Sequence, residues 1–184
     1  EEGLFEGPVC AACEESGVEE REMRGGAMIS ADREYMTLAL EEARMAAAEG
    51  EVPGGAVLVR EGKGIVSTHK RREATGNPLD HAEILALVEG ARRLGSWRLE
   101  GTTMYVTLEP CPMCAGALVQ ARVARLVFGA RDLKLGAAGS RYNLVHDETA
   151  HHRMEVTDGI LEEECLEALR SFFAARRNGG AASS

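Results

Sequence analysis

The chain of 184 residues is long enough to bury a full hydrophobic core as one domain and short for two. Its 45% hydrophobic and 28% charged residues exclude a disordered, collagen-like or disulfide-stapled chain, and no apolar run approaches the roughly 20 residues of a membrane span. The net charge of −9 speaks against a nucleic-acid partner until it is placed: residues 1–30 hold 8 acidic residues against 2 arginines, whereas residues 60–141 hold 13 Lys or Arg against 8 acidic residues, a modest positive stretch.

Residues 1–30 are Glu- and Gly-rich, begin without Met and carry no sustained period, so they read as a mobile acidic extension, with Met23 and Met28 as candidate natural starts. Within it, Cys10-x-x-Cys13 has no nearby His or second pair and reads as incidental. A helix is expected from an N-cap at Ser30 or Asp32 to Glu49, with Met36, Ala39, Leu40, Ala43 and Ala47 on one face and Gly50 ending it. Strands near Gly55–Arg60 and Ile65–Thr68 flank the turn Glu61-Gly62-Lys63-Gly64 and predict a hairpin. A polar loop runs to Asp80. Then come a helix over His81–Leu94, a strand over Thr103–Leu108, a helix from Pro112 and a strand over Arg125–Phe128. A Gly-rich loop with Gly136 and Gly139 leads to a short strand or turn near Tyr142. The last helix, from Leu161 to Arg177, should bury Leu161, Cys165, Leu169 and Phe172. This order implies one mixed sheet with helices on both faces, a three-layer α/β/α domain over residues 31–178, followed by a flexible tail over 179–184. With no visible export signal, the expected compartment is the cytoplasm, where the five cysteines stay reduced.

The chemistry sits in His81-Ala82-Glu83 and Pro110-Cys111-Pro112-Met113-Cys114, each at a helix start. Cys-x-x-Cys there puts two sulfurs about one turn apart, and Pro112 suits the first helical position, whose N–H needs no partner. Two thiolates and one imidazole make three zinc ligands and leave a fourth position open to water, the arrangement of a catalytic zinc. Zinc would lower the pKa of that water toward roughly 7. Glu83, two residues beyond His81, is free to shuttle protons. Taken singly, Cys-x-x-Cys could be a redox or structural pair, and Asp80 with Glu83 a capping box. Together, His-x-Glu and Pro-Cys-x-x-Cys match the zinc deaminase signature.

From these motifs outward the sequence resembles the bacterial tRNA-specific adenosine deaminases, the TadA family of the cytidine-deaminase-like superfamily. The resemblance runs from Glu34 to Arg177 through Gly50-Glu51-Val52-Pro53, His81-Ala82-Glu83-Ile84-Leu85-Ala86-Leu87, Tyr105 to Ala117, and Phe128-Gly129-Ala130-Arg131-Asp132. Gly136-Ala137-Ala138-Gly139-Ser140, His152-Arg153 with Glu155, and Glu164-Cys165 with Phe172-Phe173 look like its tRNA-acting branch. The resemblance implies a five-stranded mixed sheet and conversion of adenosine to inosine at the wobble position of a tRNA anticodon by a homodimer, with no membrane partner. It also implies one zinc per subunit on His81, Cys111 and Cys114, with Glu83 as proton shuttle. Leu108 would line the base pocket, and Asp132 with Lys134 would contact the sugar-phosphate backbone; locally, an aspartate beside a turn also reads as a backbone cap and Lys134 as a solvated charge.

Three positions depart from the family pattern. Lys70 stands where an asparagine usually touches the nucleoside, Asp80 replaces a small residue, and Gly54 replaces a valine of the pocket wall. Lys70 and Asp80 are expected to act as a pair, the ammonium offsetting the carboxylate. Two other functions compete: a deaminase of a free base or nucleoside (guanine, cytosine or cytidine), favoured by the altered pocket, and a zinc-stabilised RNA-binding subunit without catalysis, which would not need Glu83. Cys165, Met104 and Met113 read as core, and His146, His151 and His152 as surface or RNA-facing.

Overall fold

Alternation along three neighbouring strands creates two cores. In β1 (Gly55–Arg60), Ala56 and Leu58 face one side and Val57 and Val59 the other. Likewise β3 (Thr102–Leu108) separates Met104 and Val106 from Tyr105, and β4 (Arg125–Ala130) separates Leu126 and Phe128 from Val127. All ten residues are buried, so both faces of the sheet are covered. The first set packs with Ala86 and Leu87 of α3 (Ala82–Leu94) and with Ala115 and Leu118 of α4 (Pro112–Gln120). The second packs with Met36, Ala39 and Leu40 of α1 (Ala11–Ala48) and Cys165 of α5 (Glu162–Gly179). The three-layer α/β/α expectation therefore holds.

This computed structural model describes residues 11–179, with side chains for residues 29–177. The chain separates into Glu1–Ala31 and Asp32–Ser184; the sheet, both cores and the cavity described below belong to the second unit. The five strands run in the order β2-β1-β3-β4-β5, with β2 spanning Lys63–His69 and β5 Glu155–Thr157. β1 pairs antiparallel with β2 and β3, whereas β3–β4 and β4–β5 are parallel. A side chain at Gly55 would overlap the backbone of Ala39 and Ala43, so α1 lies directly on β1 because position 55 carries none. No helix among the described residues is long and apolar enough to cross a membrane.

The structure differs from the expected elements in four places. α1 begins at Ala11 rather than at Ser30 or Asp32. Asp32 caps nothing: its carboxylate accepts from Arg125 and from the Tyr105 hydroxyl. The part of the expected extension that is described, residues 11–30, is thus helical, while the Cys10-x-x-Cys13 pair lies outside the residues whose side chains are described. A turn does precede Tyr142, as expected, beside the isolated bridge Ala138–Asn143, whereas the fifth strand is Glu155–Thr157, too short for a periodic signal. The polar loop before Asp80 holds a one-turn helix, α2 (Arg72–Thr75).

Candidate active site

One end of the sheet gathers every expected site residue except Lys134. There β3 and β4 end, β1 begins and β2 ends, so the segments joined to them converge, as strand ends do in α/β folds. A cavity of about 190 Å³ opens between them, lined by Pro53 and Gly54 ahead of β1, Lys70 after β2, Leu108 at the end of β3, Cys111 beyond it, and Asp132 after β4. His81 and Glu83 close it from α3. Lys134 is exposed and outside the lining.

His81 and Cys111 are the N-caps of α3 and α4, each in an extended conformation, and Pro112 takes the first position of α4. Two helix N-termini, which favour negative charge, therefore face one point. His81 Nδ1 lies 3.5 Å from Cys114 Sγ and 3.9 Å from Cys111 Sγ, and the three atoms fall within 4.8 Å of one another. Tetrahedral zinc with bonds of about 2.0 Å to nitrogen and 2.3 Å to sulfur would set the nitrogen and sulfurs roughly 3.5 Å apart. The donor set and its spacing thus fit zinc.

Charge is divided unevenly over the two thiols. A hydrogen bond from Cys114, aided by His81 and opposed by burial, draws Cys111 down to about 4, while the same bond and burial push Cys114 up. Burial likewise pushes the Glu83 carboxyl up, opposed by the hydrogen bond it accepts from its own backbone N–H. A carboxyl whose charged form is disfavoured in this way takes up a proton more readily than a free one, which suits a general acid and base.

Two buried carboxylates that the sequence did not single out organise the cavity's rims. Glu109, 2% exposed, accepts from the backbone N–H groups of Ala138 and Ser140 through Oε1 and of Asp132 through Oε2, fixing the loop after β4. Glu51, 1% exposed, accepts from Glu73 and Ala74 at the start of α2. An acidic residue flanked by Pro110, or by Gly50 and Val52, is the only local signal either carries.

The remaining expectations resolve individually. Asp132 Oδ1 accepts from the backbone N–H groups of Lys134 and Leu135, the local cap that its turn position suggested, and the residue also lines the cavity. Asp80 forms no capping box, because His81 is the cap of α3. Its carboxylate accepts instead from Thr75 Oγ1 at 2.7 Å and Asn77 Nδ2 at 2.5 Å. Nor does it pair with Lys70, whose nearest charges are Arg72, Glu83, Glu51 and Cys111. His146 and His152 bond the carbonyls of Met154 and Val123, which lie just ahead of β5 and β4, and His69 Nδ1 bonds Glu42 of α1.

Comparison with known proteins agrees with this geometry. The profile of the cytidine and deoxycytidylate deaminase zinc-binding region matches residues 29–130. The chain is 50% identical over 155 residues to the tRNA-specific adenosine deaminase of Bacillus subtilis, covering 80% of this chain and 96% of that protein. A solved structure from work on A-to-I editing by tRNA:A34 deaminases at the wobble position superposes with a TM-score of 0.72 at 43% identity, over 74% of this chain and 99% of the other. A guanine deaminase from Nitrosomonas europaea superposes with a TM-score of 0.69 at 25% identity, over 77% of this chain and 84% of the other.

Proposed function

The chain belongs to the tRNA-specific adenosine deaminases, within the family of the cytidine and deoxycytidylate deaminase zinc-binding region, and from that premise we propose that it converts adenosine to inosine at the wobble position of a tRNA anticodon. The observation that carries this reading is the meeting of His81, Cys111, Cys114 and Glu83 at one cavity in a chain 50% identical to such an enzyme. The guanine deaminase, at 25% identity, is the more distant neighbour, which ranks a free-base substrate second.

We assign the reaction to residues 31–178. His81, Cys111 and Cys114 hold zinc, which when bound activates water near neutral pH. The cavity of about 190 Å³ admits a single base splayed from the anticodon loop, with the apolar Leu108 as part of its wall. Glu83 takes a proton from the attacking water and delivers it to N1 of adenine. The remaining proton of that water, on the oxygen now bonded to C6, passes through Glu83 to the exocyclic nitrogen; the C6–N bond breaks, ammonia leaves and C6 becomes a carbonyl. Lys70, just after β2, and Asp132, just after β4, face the bound nucleotide from the same end of the sheet, and the exposed Lys134 is left for the RNA backbone. The enzyme works as a homodimer in the cytoplasm, where its tRNA substrate is found. The apolar groove of α3 and α4, with Val88 and Trp97 more than half exposed and Leu87 and Ala91 beside them, offers a face for the second copy.

Inosine formation in an anticodon stem-loop with adenosine at the wobble position tests the reading, using zinc-loaded protein beside Glu83→Ala, with guanine, cytosine and cytidine in parallel. Inosine is expected, and the variant should lose about 10²- to 10⁴-fold in rate with zinc retained. Ammonia from a free base without inosine would replace the reading with the second one.

A further inference from the structure

The segment between the cavity wall and the proposed metal ligands is short and closed on itself. Lys70 follows β2 and His81 heads α3, and residues 71–80 join them. The Arg71 backbone N–H donates to the Asp80 carbonyl at 3.0 Å, so a single hydrogen bond closes the segment into a loop with Lys70 and His81 on either side of it. The Lys70 N–H in turn donates to the Gly54 carbonyl at 2.9 Å, which anchors that side to the residue ahead of β1.

Although residues 71–79 are exposed, nearly every backbone N–H between Arg71 and His81 finds an acceptor within the loop or on Glu51. Two carboxylates produce this order. Asp80 works from inside: it accepts from Thr75 Oγ1 at 2.7 Å and Asn77 Nδ2 at 2.5 Å, and the same two side chains accept from the backbone N–H groups of Asn77 and Leu79. Glu51 works from outside. Its side chain, 1% exposed, accepts from Glu73 and Ala74 at 2.6 and 3.0 Å, while its own N–H donates to the Ala46 carbonyl of α1 at 2.9 Å. Neither carboxylate is among the residues that line the cavity, so an effect of either on the reaction runs through the loop.

We infer that Asp80 and Glu51 are positioning residues: together they hold residues 71–80 as one rigid connector, which fixes His81 relative to the cavity wall at Lys70. This deepens the zinc deaminase reading and rests on it. A ligand held in place before its metal arrives loses less conformational freedom on binding, and supports one step removed from the metal are worth about 10- to 100-fold in its affinity.

The test compares full-chain wild type with Asp80→Ala, Asp80→Asn, Glu51→Ala and Glu51→Gln. Three quantities are read: amide hydrogen exchange across residues 71–81, zinc affinity by competition with a chromophoric chelator, and kcat and KM on the wobble-adenosine stem-loop at saturating zinc. Each Ala variant should exchange faster in this segment, with β1, β3 and β4 still protected, and should bind zinc about 10- to 100-fold more weakly. Lys70 keeps its own anchor at Gly54, so the loss of activity should fall on kcat rather than on KM. Asparagine and glutamine keep an acceptor oxygen and should stay close to wild type in all three readouts. Zinc affinity and kcat equal to wild type in either Ala variant would overturn the inference. So would an Asn or Gln variant as impaired as its Ala counterpart, which would make the negative charge rather than the hydrogen bonds decisive. Should Glu51→Ala lose protection across the whole sheet, Asp80→Ala decides, because the bonds it removes lie at the surface. A wild-type protein that binds zinc and makes no inosine would instead remove the deaminase reading and leave the zinc comparison standing, so the two failures are distinct.

Discussion

Glu109 and Gly136 exclude one another's enlargement: a methyl group at position 136 would overlap the Glu109 carboxylate, and that carboxylate is committed to the backbone of the loop that contains Gly136. Glu109→Ala would leave the N–H groups of Asp132, Ala138 and Ser140 without their acceptor. Each buried donor left unpaired costs about 1–3 kcal/mol, so urea unfolding should show a loss of at least about 2 kcal/mol. Inosine formation should fall further than stability explains, because Asp132 moves with the loop. A variant as stable as wild type would refute this role.

Zinc removal should expose the asymmetry of the thiols. In chelator-treated protein at pH 7.5, Cys111, drawn down to about 4, is a partly exposed thiolate. Burial pushes Cys165 up to about 12, and only 1% of it is exposed. Iodoacetamide should label Cys111 faster than Cys165 by on the order of 10²-fold or more. Restoring zinc should protect Cys111 and restore activity. Peptide mass spectrometry reads both, and equal labelling would contradict the assignment.

The Arg125–Asp32 pair is bidentate, at 2.7 and 2.8 Å, with Asp32 2% exposed and Arg125 12% exposed at their side chains. Asp32→Ala would take the bidentate partner from the Arg125 guanidinium, leaving it only Glu155 and Thr157, and would leave Tyr105 without its acceptor. Breaking such a pair costs about 3–5 kcal/mol, whereas Asp32→Asn, which keeps an acceptor oxygen, should cost less. Both are read from urea midpoints, and equal losses would show that charge rather than hydrogen bonding decides.

Lys70 gives a pH signature. Burial, reinforced by the Arg72 charge, lowers its folded-state pKa below that of the unfolded chain, against the opposing pull of Glu83, Glu51 and Cys111. Between the two values the unfolded state binds more protons, so stability rises with pH across that alkaline window. Below the window the full penalty of the buried ammonium applies. Lys70→Met should therefore be more stable than wild type at pH 7, with the advantage shrinking toward pH 10.5. Thermal melts at both pH values test this, and an advantage that grows with pH would reverse the assignment.

The residues proposed as metal donors and proton carrier, and the order of the major elements, stand out in the sequence because each is a local pattern. His81 and Cys111 cap helices, Cys114 follows within one turn, Glu83 sits two residues past His81, and the strands alternate with a period of two. The buried carboxylates that organise the fold and the cavity's rims have partners far along the chain and no period of their own. Asp32 looked like a cap until Arg125, 93 residues away, claimed it. Glu109 carried no role until Ser140, 31 residues on, came within reach. Asp80 was expected beside Lys70 and instead closes its own loop through Thr75 and Asn77. The three-residue β5 was likewise decided by tertiary packing, since a short strand gains its hydrogen bonds only from a neighbour already in place. Which residues are candidates for the chemistry was therefore a property of the sequence. Which buried charges hold them in register was settled by the folded chain, because a carboxylate's role depends on the donors that reach it once water is excluded.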